Sequence, residues 1–345
     1  MREGHAPRIE IGVRASLCGR SDFRPRCPPR TSLGVVCMTA LAISLLTLLG
    51  AGSFQPGPLL AKPWIQRVHI LADTVWFEGE RGYDSVRVRY CFSRRTGEWC
   101  KRPRRGSADR ASWLPRGRGD SVTLAPGLAL VCRPPIVAAG DCETFGVRAD
   151  GDTALYALVP RASKPILSML QRAAQIETDQ PPSISELVTS WAAAGDAIWF
   201  GLGGGFPEGY GAYGALLRFD RTRRTVETVV HAGLADATVT GLAVDGDSLW
   251  VGTFHPAEYG PVGSTGVLCQ NLRTGRWTTL DSAGAWLPDK VVQTLAAHDG
   301  MLYIATQHGL AVFDTRTGRS SVRYFRRATV AGSIEYVLSA TRPRD

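Results

Sequence analysis

Lysine is scarce in this chain, and so is most of what would mark an enzyme. Only four lysines and four methionines occur in 345 residues, so the formal net charge of +9 is carried almost wholly by arginine. No Cys-x-x-Cys pair is present, which argues against zinc. His69, His231, His255, His298 and His308 show no metal-ligand spacing. The glycine run at 201–205 lacks a final spaced glycine, and no helical pattern follows it, so it is not a dinucleotide loop. It lacks a following Gly-Lys-Ser/Thr, so it is not a phosphate loop either. No Gly-x-Ser-x-Gly nucleophile elbow appears. The expectation is no catalytic residue, no metal and no cofactor. His255 and His308, which could face one pore, are the single hint of enzymatic chemistry.

Charge is also missing from residues 31–61. The apolar centre of that stretch, 33–51, is about long enough to cross a ~30 Å hydrocarbon layer as a helix. The preceding tail carries Arg2, Arg8, Arg14, Arg20, Arg24, Arg26 and Arg30 against Glu3, Glu10 and Asp22, which favours tail inside and remainder outside. Ala51-Gly52-Ser53 fits a signal-peptide cleavage site, whereas the long tail fits a retained anchor. A buried core helix is the third reading. The first two place residues 62–345 outside the cytoplasm, secreted, periplasmic or held at the membrane. Residues 1–61 are thus a basic tail plus signal peptide or anchor, and 62–345 are the folded part, with 44% hydrophobic residues in the chain to build its core.

Cysteine spacing agrees with export. Around a turn at Arg94–Gly97, Cys91 faces Cys100 within disulfide reach. Cys132 and Cys142 flank a loop and form a second candidate pair, and both pairs need an oxidising compartment. Cys269 lies in an apolar strand and reads as a small core residue. Residues 81–118 hold twelve Arg or Lys against Asp84, Glu98 and Asp109. This block could meet anionic lipid or polyanions, or it could be a solvated face whose arginines reflect base composition. Export argues against nucleic acid as the partner.

What the chain does have is repetition. Trp191-Ala-Ala-Ala-Gly-Asp-Ala-Ile-Trp199, Leu242-Ala-Val-Asp-Gly-Asp-Ser-Leu-Trp250 and Leu295-Ala-Ala-His-Asp-Gly-Met-Leu-Tyr303 align, each an apolar strand, an Asp/Gly turn and a strand with an aromatic at a fixed place. Such turn residues between apolar runs signal a hairpin, because they accept positive φ. A strand ending in Phe219-Asp220, Gln270-Asn271 or Phe313-Asp314 follows, then a turn and a fourth strand. An upstream copy runs from Val68 through Trp76 to Cys100, and a degenerate one from Ser121 to Val159. Units of four antiparallel strands, 40–50 residues long, have the size of a propeller blade. The expected fold is an all-β propeller of five to six four-stranded blades, with 329–340 able to add closing strands. A helix over 163–176, packed on the outside, interrupts the pattern and stops before Pro181-Pro182.

The Leu249-Trp-Val-Gly-Thr253 strand, followed by a strand ending in Phe-Asp or Gln-Asn, a Thr-Gly turn and an Arg-Trp strand, resembles the two-component regulator propeller repeat. The resemblance is clear over 186–325 and looser over 66–103. It implies a sensor-type extracytoplasmic propeller that binds a ligand. No kinase follows residue 325, which departs from the kinase-linked members.

In such blades the second-to-third loops gather on one face with the connections between blades. Three of these loops are long, and each sets a Glu and then a Tyr among glycines. The candidate ligand-binding residues are therefore Tyr83, Phe206, Glu208, Tyr210, Tyr213, Phe254, His255, Glu258, Tyr259 and His308, with Glu80 beside them. The expected function is binding a small molecule or protein at this face. A lyase or hydrolase using the same face and a membrane-held scaffold subunit are the alternatives.

Overall fold

The computed structural model describes residues 63–342 apart from 82–85, 101–103, 106–120, 133–143, 151–153, 175–182, 204–211, 236, 255–264, 281–286 and 331–332. The apolar segment 31–61 lies outside these residues. Among the described residues no helix is long and apolar enough to cross a membrane. The described residues fall in one compact unit that is all-β, with one α-helix among them.

Five antiparallel sheets follow one another along the chain, each built on four consecutive strands. Sheet 1 comprises Trp64–Ile70, Thr74–Arg81, Val86–Ser93 and Glu98–Trp99, with Arg104–Arg105 added to its third strand. Sheet 2 comprises Ser121–Ala125, Leu128–Cys132, Phe145–Ala149 and Leu155–Ala157. Sheet 3 comprises Val188–Ala194, Ala197–Leu202, Leu216–Asp220 and Thr225–Val229, and sheet 4 Thr238–Asp245, Ser248–Phe254, Val267–Asn271 and Trp277–Leu280. Sheet 5 comprises Val292–His298, Met301–Thr306, Gly309–Asp314 and Ser320–Val330, and Ser333–Ser339 joins it as a fifth, outer strand. The C-terminal residues thus widen the last sheet and build no sixth one among the described residues.

The turns explain the hairpins. Gly195 and Gly246 sit at φ +53° and +57° in the first turns of sheets 3 and 4, where a side chain would be strained. The register then repeats. Trp76 faces His69, Trp199 faces Ala192, Trp250 faces Ala243 and Tyr303 faces Ala296. The four aromatics therefore occupy equivalent positions, as the repeats imply. The proposed pairing of cysteines also holds: the Cys100 amide donates to the Cys91 carbonyl at 2.9 Å, and the two residues are disulfide-bonded. Cys132 is disulfide-bonded too, while Cys142 lies outside the described residues. Cys269 is a buried free thiol, and desolvation raises its pKa.

The sheets bury their faces on one another. Leu130, Phe145 and Val147 of sheet 2 pack with Ile198, Phe200 and Leu217 of sheet 3. Trp199 joins Val239 and Leu242 between sheets 3 and 4, and Trp250 joins Val292 and Leu295 between sheets 4 and 5. Tyr303 and Phe325 join Phe77 and Tyr90, so the last sheet packs on the first. Gly201 and Gly252 permit two of these approaches, since a Cβ there would stand 2.4 Å from a Val239 methyl and 2.6 Å from a Val292 methyl.

The helix, Lys164–Ala174, lies where the sequence places it. Its buried Leu170 packs with Tyr213 and Ala235, beside Ile166 and Met169.

Candidate binding site

The first strand of sheets 1, 3, 4 and 5 carries an irregularity at one shared place. The ladder slips at Gln66, Thr189, Thr240 and Gln293, each three residues before the partner of the repeated aromatic. Such bulges bend a strand and re-aim its side chains. Three of these residues reach the next sheet. The Thr189 hydroxyl donates to the Val239 carbonyl, and the Thr240 hydroxyl donates to the Val292 carbonyl at 2.7 Å. Gln293 accepts from the Ile65 amide at 2.8 Å and donates to the Pro63 carbonyl at 3.3 Å. A directional series of latches therefore runs from sheet 3 to 4, 4 to 5 and 5 to 1.

These four first strands enclose a cavity of about 280 Å³. Its wall includes Gln66, Arg67 and His69 of sheet 1, Ser190 and Trp191 of sheet 3, Thr240 and Leu242 of sheet 4, and Thr294 and Leu295 of sheet 5. His69 Nε2 lies 2.9 Å from Glu78 Oε2, and Arg89 pairs with the same carboxylate.

One end of the cavity lies where the first strands begin and the second strands end. There the Gly203 amide donates to the Leu187 carbonyl at 2.8 Å, and the Gln307 amide to the Val291 carbonyl at 3.0 Å. The second strands of sheets 3 and 5 thus end beside the segments that enter their first strands. Trp64, 42% exposed, meets Phe254 edge-on with centroids 6.1 Å apart. These two residues belong to sheets 1 and 4, which flank sheet 5, so the pair reaches across the end of sheet 5's first strand.

His308 lies at the same end. Asp289 Oδ2 accepts from its backbone amide at 2.6 Å and contacts its Nδ1 at 2.9 Å, while Asp289 Oδ1 accepts from the Val291 amide. That carboxylate fixes the imidazole through Nδ1 and leaves the side chain partly exposed.

The sequence-derived residues divide three ways. Phe254 and His308 stand at this end. Tyr83, Phe206, Glu208, Tyr210, His255, Glu258 and Tyr259 lie outside the described residues. Tyr213 departs from the expectation: it is 1% exposed and belongs to a core. Ala212–Tyr213 pairs in parallel with Ser183–Ile184, and this draws the ring beneath the helix. Its hydroxyl is buried with no hydrogen-bond partner among the described residues, and desolvation raises its pKa. The aromatic cluster proposed from sequence therefore does not include Tyr213.

Arg67, Trp191, Trp64 and Asp289 went unrecognised in the sequence. The usable signal is positional, since the cavity wall falls at most three residues before the partner of each repeated aromatic.

No family model matches the chain, and no curated protein matches it. Similar solved structures include the extracellular domain of BT4673 from B. thetaiotaomicron, described in one structure as a one-component system and in another as a hybrid two-component system. The first is 14% identical, with a TM-score of 0.36, over 71% of this chain and 26% of that one. The second is 13% identical, with a TM-score of 0.33, over 77% and 28%. PorZ, a surface component of the type-IX secretion system of Porphyromonas gingivalis, is 13% identical, with a TM-score of 0.34, over 76% and 28%. The chain spans about a quarter of the length of these structures.

Proposed function

We propose that the five sheets are the blades of a five-bladed β-propeller that works outside the cytoplasm as a sensor or interaction module, binding its ligand or partner at the long-connection end and the cavity beneath it. The observation that carries this reading is the adjacency of the first and last sheets around one cavity. An open sequential stack would hold sheets 1 and 5 apart, yet they share a core that includes Tyr90, Phe92, Tyr303 and Phe325. The reading requires one further contact, sheet 1 on sheet 2, to close the ring. The disulfide between Cys91 and Cys100 supports an oxidising compartment. The N-terminal segment acts as export signal or anchor, and the basic block 81–118 offers a contact for anionic surfaces.

A pull-down and small-molecule screen with the full chain tests the reading. Trp64→Ala and His308→Ala should each weaken capture about tenfold. Unfolding temperature should move by only a few degrees, because both side chains are substantially exposed. Capture unchanged in both variants would overturn the assignment of this end. A lyase or hydrolase reading rests on the His308–Asp289 pair alone. Turnover lost in His308→Gln with capture retained would favour it.

A further inference from the structure

Just beyond their bulges, the four first strands bring Arg67, Ser190, Gly241 and Thr294 to one height, each two residues before the partner of the repeated aromatic. A Cβ on Gly241 would come within 2.9 Å of the Leu295 amide, so sheets 4 and 5 can approach only with glycine there. In consequence no side chain from sheet 4 occupies the cavity at this height.

Arg67 is half-buried in the cavity wall; Glu78, its cross-strand partner, is engaged by His69 and Arg89, and among the described residues no carboxylate forms an ion pair with Arg67. His69 differs, because Glu78 stands against it. With that one carboxylate shared between His69 and Arg89, a partly dehydrated Arg67 guanidinium is short of negative charge, which is costly. It also presents the planar fork of N–H donors that a carboxylate oxygen pair accepts two at a time. Apart from His69, which Glu78 engages, the rest of the wall is apolar or uncharged and includes the Trp191 indole, the buried Leu242 and Leu295, and the Thr294 hydroxyl. At about 280 Å³ the space lies at the lower end of the range for small-molecule sites.

We infer that this cavity binds a small monocarboxylate with an apolar or aromatic body, its carboxylate held by Arg67 and Thr294 and its body lying on Trp191 and Leu295. The inference rests on the binding reading above and narrows it to one chemical class.

Calorimetric titration of the full chain with two matched pairs tests it: phenylacetate against phenylacetamide, and hexanoate against hexanamide. Saturable binding of at least one acid is expected, with its amide about tenfold weaker or more. Arg67→Met should abolish the preference for the acid, and Arg67→Lys should restore part of it. Trp191→Leu should weaken acid and amide alike. Circular dichroism of each variant separates these effects from misfolding. If Arg67→Met fails to fold, the comparison of acid with amide on the unmodified chain decides alone. Equal affinity for acid and amide overturns the carboxylate assignment and leaves the binding reading standing, as does a preference for the acid that survives Arg67→Met. No saturation by any probe up to about 10 mM overturns the inference. Joined to unchanged capture by Trp64→Ala and His308→Ala in the broader screen, that result removes the binding reading as well.

Discussion

Sheets 2 and 4 contain the same number of strands in the same order, yet they are held in different ways. Sheet 4 has the bulge at Thr240, the latch to Val292, and Trp250 wedged against Val292 and Leu295 of sheet 5. Sheet 2 slips instead at Leu124, one residue from the end of its first strand. No latch from that strand appears among the described residues, and sheet 2 meets sheet 3 through apolar side chains such as Leu130 and Phe145. Apolar burial, helped by Arg224 donating to the Tyr156 hydroxyl at 3.3 Å, therefore places a sheet in this fold without a latch from its first strand. What the latches add is height: they fix each first strand against the next, and so align the residues around the cavity.

The sharpest way to test that division is to cut the cores of both sheets. Trp250→Ala removes a buried indole and should cost about 3–5 kcal/mol. Leu130→Ala removes a fully buried side chain and should cost about 2–5 kcal/mol. Denaturant unfolding measures both. If Leu130→Ala is nearly silent while Trp250→Ala is severe, sheet 2 is not part of the same cooperative core.

Cutting the latches should separate the two sheets. Thr240→Val keeps the shape and removes the hydroxyl, leaving the Val292 carbonyl short of a donor, at a cost of about 1 kcal/mol. Thr123→Val alters an exposed residue of the sheet 2 first strand and should stay within about 0.5 kcal/mol. Equal effects would mean that the latches contribute nothing beyond strand propensity. The same Thr240 variant should also weaken the acid binding described above, because it loosens the alignment of sheets 4 and 5.

The sheets were legible in the sequence because their causes are local. An Asp/Gly turn flanked by apolar runs specifies a hairpin without help from the rest of the chain, and Cys91 and Cys100 lie nine residues apart in a hairpin whose turn ends in Thr96-Gly97. The cavity was not legible for two physical reasons. Its wall follows the bulges, and the bulged residues are two glutamines, Gln66 and Gln293, and two threonines, Thr189 and Thr240, so no single residue type marks them. An unrecognised bulge shifts the two-residue alternation by one, so Arg67 reads as an ordinary strand arginine. Tyr213 failed for a different reason: its burial depends on a helix some forty residues upstream, and nothing in the Gly-rich loop announces that contact.

The smallest effect is expected from the third-to-fourth turns, where sheets 3, 4 and 5 carry Asp220, Asn271 and Asp314 at one position. Asp220 Oδ1 accepts from the amides of Thr222 and Arg223, Asn271 Oδ1 from the amide of Thr274, and Asp314 Oδ1 from the amides of Arg316 and Thr317. The amide of Arg223 chiefly lowers the Asp220 pKa below 3.8, and the Thr317 hydroxyl chiefly lowers that of Asp314. A depressed carboxyl stabilises the fold above its unfolded pKa, near 3.9, and loses that contribution as pH falls through the lower folded value. Asn271 performs the same turn without a titrating proton. Asp220→Asn and Asp314→Asn should therefore flatten the fall of stability between about pH 5 and pH 2, whereas Asn271→Asp should steepen it. Unfolding midpoints measured across that window decide the matter, and three variants with parallel pH profiles would show that these carboxylates stabilise the turns through geometry that owes nothing to their charge.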